Sequence, residues 1–378
     1  MKESLPSIHV LDICLPFVLY YSWKNRANRL LGKYQIIPFL FAAYVMFTIL
    51  IQKHPTSTSD YFEVYKWIKF GIVCMFFTLI DLSKVERFIP WILACLIGMN
   101  ILHFIEFPYW NQVLEKYYNG GMHLHFFGKD SEGAPAVKRL VGTMGNPNIN
   151  AILFGLISIY YFPVQLEKRR VILYFTCLLF VFLCQSRTAL LVLGASYLYL
   201  AVFHAKIWTI QQWLKMFLGI VIVFFIAWML ATSFFQYTSY NNSLLDGSAF
   251  RSGSARGRFE TWKLLGGMII QHPILGYGPF KNYFYTNRIF SENEYILMMW
   301  RYGVIGLLLY VSIFLYPLKK IIQKADLISI QGSLLLILML VSALSNNPLT
   351  ERNIEIVFCL GLAWVMKSIL QKESVDGN

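Results

Sequence analysis

The sequence predicts an all-α fold, a polytopic transmembrane helical bundle of eleven or twelve spans with a large extracytoplasmic loop. Three observations carry that prediction. Over 378 residues the composition is 57% hydrophobic and 17% aromatic with only 14% charged, far from the balance of a soluble domain. Apolar runs of about 17 to 22 residues recur, the length a helix needs to cross roughly 30 Å of hydrocarbon, whereas barrel strands are shorter and alternate in polarity. The remaining charges sit in short connections and in one polar segment, 251–306, which holds Arg251, Arg256, Arg258, His272, Lys281, Glu292 and Glu294. Residues 1–378 therefore read as a single integral membrane domain, and that segment as the part that presents a site to an anionic ligand at the membrane face.

In chain order the apolar runs fall at 6–22, 34–51, 64–81, 88–105, 149–165, 170–185, 187–204, 214–236, 295–316, 327–345 and 354–370. The first is short and contains Asp12 and Pro16. If the runs alternate across the bilayer, Lys24, Arg26, Arg29 and Lys33, then Lys84 and Arg87, then Lys168 to Arg170, Lys206 and Lys215, Lys319, Lys320 and Lys324, and Lys367 and Lys372 all share one side. That side is cytoplasmic, because short positive loops stay inside. The two long loops, 106–148 and 237–294, and the hairpin from Asn346 to Asn353 are then extracytoplasmic, with the N-terminus outside and the C-terminus inside. The basic residues near the N-terminus follow the first apolar run, so that run is not expected to be a cleaved signal peptide.

The formal charge of +13 points to anionic lipid, not nucleic acid, since no basic patch interleaved with stacking aromatics sits on a soluble fold. Cys14, Cys74, Cys95, Cys177, Cys184 and Cys359 all fall inside apolar runs, which argues against a disulfide framework or a metal site. No internal repeat is evident. Asp81, Glu106, Arg187, Arg301 and Glu355 lie near the ends of spans, and ionisable residues near span centres are expected to be almost absent. An ion-coupled transporter or a flippase would need such residues.

Five stretches carry candidate chemistry. Gly142 to Asn150, GTMGNPNIN, precedes a span and offers exposed backbone N–H groups at a helix start for an anion or a sugar hydroxyl, with Asn146 and Asn148 as candidates; a turn with a helix cap is the plainer reading. Gln185-Ser186-Arg187 forms a very short outer connection, where Arg187 either snorkels to headgroups or holds phosphate bidentately. Gly257 to Ile270 reads as an amphipathic helix with Arg258 on the face of Trp262, Leu265 and Ile269, while Glu260 and Lys263 point away. After it, Gly276 and Gly278 either form a backbone nest or belong to a plain loop, the plainer reading, and His272 is either a base or a helix C-cap beside Pro273. Ser291 followed by Glu294 has the spacing of a capping box, which leaves Glu292 as the better candidate for a catalytic carboxylate.

Together GTMGNPNINA (142–151), QSRTALL (185–191), RGRFETW (256–262), HPILGYGPF (272–280) and ENEYILMMWRYGVIGLL (292–308) resemble, in order, the O-antigen ligase and polymerase-like membrane glycosyltransferases. The resemblance covers 142–308 and reaches the N-terminal spans only through hydropathy. It implies an inner-membrane enzyme that transfers glycans from polyprenyl-diphosphate carriers at the outer face, inverting and without metal or cofactor. It also implies Arg187 and Arg258 as the arginines that hold the donor diphosphate. With that donor, Glu292 is expected to act on the acceptor hydroxyl, and Arg256, Arg251, Asn146, Asn148, Gly276, Gly278, His272 and Glu294 are the candidates for surrounding substrate contacts. Implied partners are a lipid-linked oligosaccharide donor and acceptor, the bilayer and a chain-length regulator protein. Many members, the ligases above all, place a His where this chain has Glu292; an acidic residue there is common among the polymerases, so the polymerase branch is favoured over a ligase onto lipid A core or protein.

Overall fold

The structure, a computed structural model, describes residues 10–24, 36–52, 54–81, 85–105, 107–113, 139–235, 253–287, 289, 291–324, 326–350 and 352–376. Among these residues there are helices and no strands. The α-helices in order are α1 (Val10–Lys24), α2 (Ile37–Ile51), α3 (Thr58–Leu79), α4 (Ile89–Phe104), α5 (Trp110–Val113), α6 (Pro147–Tyr160), α7 (Lys168–Leu183), α8 (Arg187–Phe203), α9 (Ile210–Phe235), α10 (Gly253–Gln271), α11 (Lys281–Thr286), α12 (Glu294–Ile321), α13 (Leu327–Ser342) and α14 (Arg352–Asp376). Every apolar run read from the sequence coincides with one of them. Two, Ile210–Ala231 and Glu294–Ile321, are long and apolar enough to cross a membrane on their own, and six shorter apolar helices of 10–17 residues accompany them.

The helices fall into two compact units, where the sequence reads as one domain. The first takes in Met1–Leu82, Gly257–Ile322 and Glu355–Asn378; the second takes in Ser83–Arg256 and Gln323–Ile354.

In the first unit α3 packs on α1, α2 and α11, and α12 packs on α2. Four aromatic rings fill the space among α2, α3 and α12: Phe41 meets Trp67 edge-on at 4.6 Å and Tyr302 at 5.4 Å, and Trp67 meets Tyr310 at 6.0 Å. Phe358 of α14 stacks on Phe314 and Phe70 and extends the same core. α12 is two helices joined at a break, because Gly303 has φ 60° and ψ −167° inside it. Beside the break the Tyr302 carbonyl accepts a bond from the Tyr44 hydroxyl at 2.9 Å.

The unit also holds charge where the sequence predicts almost none. Lys69, in the middle of α3 and 6% exposed, pairs with Asp12 of α1 at 3.0 Å, and the Tyr65 hydroxyl donates to the same carboxylate at 2.8 Å. The pair neutralises itself, which is how two charges are kept among apolar helices.

In the second unit α6 packs on α7 and α8, α13 on α6 and α8, and α9 on α7. Gln331 of α13 donates to the Tyr160 carbonyl at the end of α6 at 2.6 Å. Asn150, fully buried on α6, donates to Asn100 of α4 at 2.8 Å and approaches the Leu140 carbonyl and Cys184 sulfur at 3.4 Å. The 3₁₀ turn Gly142–Met144 fits over this point only because Gly142 (φ 50°) lacks a Cβ, which would lie 2.3 Å from the Asn100 oxygen. The six cysteines are free, four of them buried.

Candidate functional site

In the first unit the site grows from α10. Arg258, Trp262, Leu265 and Ile269 share its inner face, with Leu265 fully buried, while Glu260 and Lys263 are exposed as the helical periodicity predicts. The Trp262 indole N–H donates to the Ser291 carbonyl at 2.6 Å, which ties this face to the segment that opens α12. One turn earlier Arg258 and Glu292 form an ion pair. The Arg258 Nε is buried and has no hydrogen-bond partner among the described residues, so the pair leaves donor capacity on the guanidinium.

Glu292 reaches Arg258 from a strained backbone. Its φ of 42° lies in the left-handed region, which a residue with a long side chain seldom adopts, and such outliers cluster where function requires them. The capping box read from Ser291 and Glu294 is not formed. Asn293 caps α12, its side chain accepting the Ile296 N–H at 3.0 Å, while the Ser291 hydroxyl donates to the Asn293 carbonyl at 2.8 Å. A box needs the helix to begin one residue after Ser291, and the chain begins it after Asn293. Glu294 turns inward instead, fully buried, with Tyr310 and Tyr295 as neighbours.

The glycines after α10 are engaged within the chain. Gly276 and Gly278 have φ of 67° and 73°. The Gly276 N–H donates to the His272 carbonyl, Tyr277 N–H to Trp300, Gly278 N–H to Arg301 at 2.7 Å, and Val304 N–H returns to Pro273. The segment is thus laced into the break of α12, and a Cβ on Gly276 would lie 2.5 Å from the Arg301 carbonyl. These backbone N–H groups are taken up by the protein's own carbonyls, as in the plain-loop reading. His272 is exposed just past the end of α10, its ring edge-on to Tyr277 at 4.5 Å. Burial, with Tyr283 close by, raises the Tyr277 hydroxyl above its ordinary value, so it remains a donor, to Gln271 at 3.0 Å.

Beneath this segment lies a group the sequence reading does not single out. Glu63 accepts from Lys281 at 2.7 Å and lies 3.8 Å from Arg301, Asp60 accepts the Lys281 backbone N–H at 2.9 Å, and Phe284 covers the Arg301 guanidinium at 5.2 Å. Phe280, with φ 43°, is the N-cap residue of α11. The available signal was two carboxylates, Asp60 and Glu63, just before one apolar run, and an Arg inside another.

In the second unit Asn146 is the N-cap of α6, accepting from the Asn148 and Ile149 N–H groups at 2.8 and 3.4 Å. Asn148 faces a different partner: its side-chain oxygen accepts from Arg139 and from the Ser186 hydroxyl, both at 2.9 Å. Ser186 caps α8, and Arg187 is the first residue of that helix, half-buried. Thr188 follows, in contact with Ser345 at 2.5 Å and Asn346 at 3.0 Å. Of the remaining candidates, Arg251 and the Arg256 side chain lie outside the described residues, as does most of the loop 106–148.

Residues 172–311 match the family model described as O-antigen ligase. No curated protein matches the chain. The matched stretch holds Arg187, Arg258 and Glu292 and ends within α12, so the arginines and the strained carboxylate described above lie in the segment that is similar to the O-antigen ligase family.

Proposed function

We propose that this chain polymerises oligosaccharide repeat units carried on undecaprenyl diphosphate into a surface polysaccharide, at the outer face of the cytoplasmic membrane. The observation that carries the reading is the contact of Arg258 with Glu292, a carboxylate that caps no helix and is held in a strained backbone against an arginine. The family match supports the donor class.

In the reaction the acceptor sugar hydroxyl attacks the anomeric carbon of the donor glycan, and the bond from that carbon to the diphosphate oxygen breaks. The electron pair leaves with the polyprenyl diphosphate, and the glycosidic bond forms with inversion. Arg258 meets the charge that grows on the leaving diphosphate, and the resemblance supports a diphosphate-binding role for Arg187 as well. Glu292 takes the hydroxyl proton, a role that needs it within hydrogen-bond reach of the acceptor. The arginines supply the positive charge that leaving-group departure requires.

The description of the family as O-antigen ligase favours one second reading, transfer of the glycan once, onto a lipid or protein acceptor. Reconstitution separates the two. Purified chain in liposomes, given lipid-linked repeat units from its own host, is expected to yield a ladder of longer lipid-linked glycans and free undecaprenyl diphosphate, with no ladder from Arg258→Ala. A single transfer onto added acceptor without a ladder would replace polymerase by ligase, and neither product would overturn both.

A further inference from the structure

Arg139 is a polar residue of the second unit that neither the candidate chemistry nor the matched segment accounts for. Two of its hydrogen bonds run to two different helices. The Nε donates to the Cys184 carbonyl at the end of α7, at 3.1 Å, and Nη2 donates to the Asn148 oxygen on the first turn of α6, at 2.9 Å. The same oxygen accepts the Ser186 hydroxyl at 2.9 Å. Leu140 adds a backbone bond to the Leu183 carbonyl at 3.2 Å. Between Cys184 and Ser186 sits Gln185, 8% exposed and with φ 48°, a left-handed conformation in a residue that is not glycine. The turn that delivers Arg187 to the start of α8 is therefore strained, and something must hold it. Arg139 holds the residue before Gln185 directly and the residue after it through Asn148.

We propose that Arg139 is a positioning residue for Arg187: its fork on Cys184 and Asn148 fixes the α7–α8 turn so that the Arg187 guanidinium stands ready for a diphosphate. A planar guanidinium can make both bonds from one side chain, whereas an ammonium is a single point of donation on a flexible stem. The proposal rests on the reading of Arg187 as a diphosphate ligand, and the test separates the two.

The probe is farnesyl diphosphate, with binding to the purified full chain in detergent measured as a dissociation constant. Arg139→Lys is expected to weaken binding about tenfold in the wild-type background, and to have no further effect in an Arg187→Ala background, because residues acting through one another are not additive. Asn148→Leu cuts the same link without touching Arg139. It is expected to cause the same loss and to add nothing to Arg139→Lys, and it carries the test alone should Arg139→Lys fail to fold. Equal losses in both backgrounds would show Arg139 acting independently of Arg187 and would overturn the proposal, as would wild-type binding by Arg139→Lys. If Arg187→Ala itself binds farnesyl diphosphate as the wild type does, the donor role of Arg187 falls, and the proposal with it; if Arg187→Ala loses binding while Arg139→Lys and Asn148→Leu keep it, only the positioning role falls.

Discussion

At Glu292 the structure removes the competing explanation and so sharpens the experiment. Asn293 already caps α12, so the helix N-terminus has no need of the Glu292 carboxylate. Glu292→Gln keeps the shape and most of the hydrogen bonding but loses the proton-accepting group, and transfer is expected to fall by about 10²-fold. Donor binding is expected to be retained, since the substitution also takes from Arg258 the anion that competes with a diphosphate for it. Rates from a reconstituted assay, with donor affinity measured separately, check both halves; full activity in Glu292→Gln would end its assignment as the base. Glu294→Gln is the companion, expected to transfer normally because Glu294 is wholly enclosed beside Tyr310. The Asp12–Lys69 pair makes a prediction of another kind. Lys69→Met leaves a carboxylate among apolar helices without its cation and is expected to cost about 3 kcal/mol in unfolding of the purified protein, while Asp12→Leu combined with Lys69→Met recovers most of it. A double variant as unstable as the single one would show that the pair is not what the site needs.

Among the elements, what the sequence makes legible is whatever hydropathy and periodicity measure directly. Each apolar run is a helix because length and composition settle that much. The inward face of α10 is equally plain, since three turns of it repeat at helical spacing and leave Glu260 and Lys263 outside. The break at Gly303 is not legible. A glycine inside an apolar run is compatible with an unbroken helix, and only the segment from Pro273 to Gly278, brought from thirty residues earlier in the chain, shows why that glycine must be there. For the same reason the lacing of Gly278 cannot be read from the sequence, because its partner is the Arg301 carbonyl of a distant element. Arg139 and Glu63 escape notice likewise, each being an ordinary charged residue until its contacts are known. The break therefore carries the prediction at this scale. A Cβ on Gly303 would lie 2.1 Å from the Ile274 carbonyl oxygen, at a φ of 60°. Gly303→Ala is expected to cost about 2 kcal/mol and to impair transfer by displacing the segment that follows α10. Gly266→Ala, with nothing within 4 Å of the added carbon, is expected to leave stability unchanged or slightly raised. Equal behaviour of the two variants would mean that the break is not held by the lacing.

For the molecule in its membrane, the strongest constraint is the distribution of short positive connections. Lys168, Arg169 and Arg170 open α7, and Lys319 and Lys320 close α12; both groups belong inside if the helices alternate, because cytoplasmic connections retain lysine and arginine. Lys281 lies on α11, between α10 and α12, within the long connection assigned to the outer side. The donor's diphosphate is proposed to meet Arg258 on that same connection, so the direction of transfer and the topology stand or fall together. Single-cysteine labelling with a membrane-impermeant maleimide tests it. Cys14 and Cys95, which are exposed, are first replaced by serine, whereas Cys74, Cys177, Cys184 and Cys359 are buried and react poorly for want of access. Intact cells are expected to label Lys281→Cys, and Lys168→Cys and Lys319→Cys only after permeabilisation. Labelling of Lys168→Cys in intact cells, with Lys281→Cys protected, would place the Arg258–Glu292 pair on the cytoplasmic side, where a polymerase of exported repeat units has no substrate.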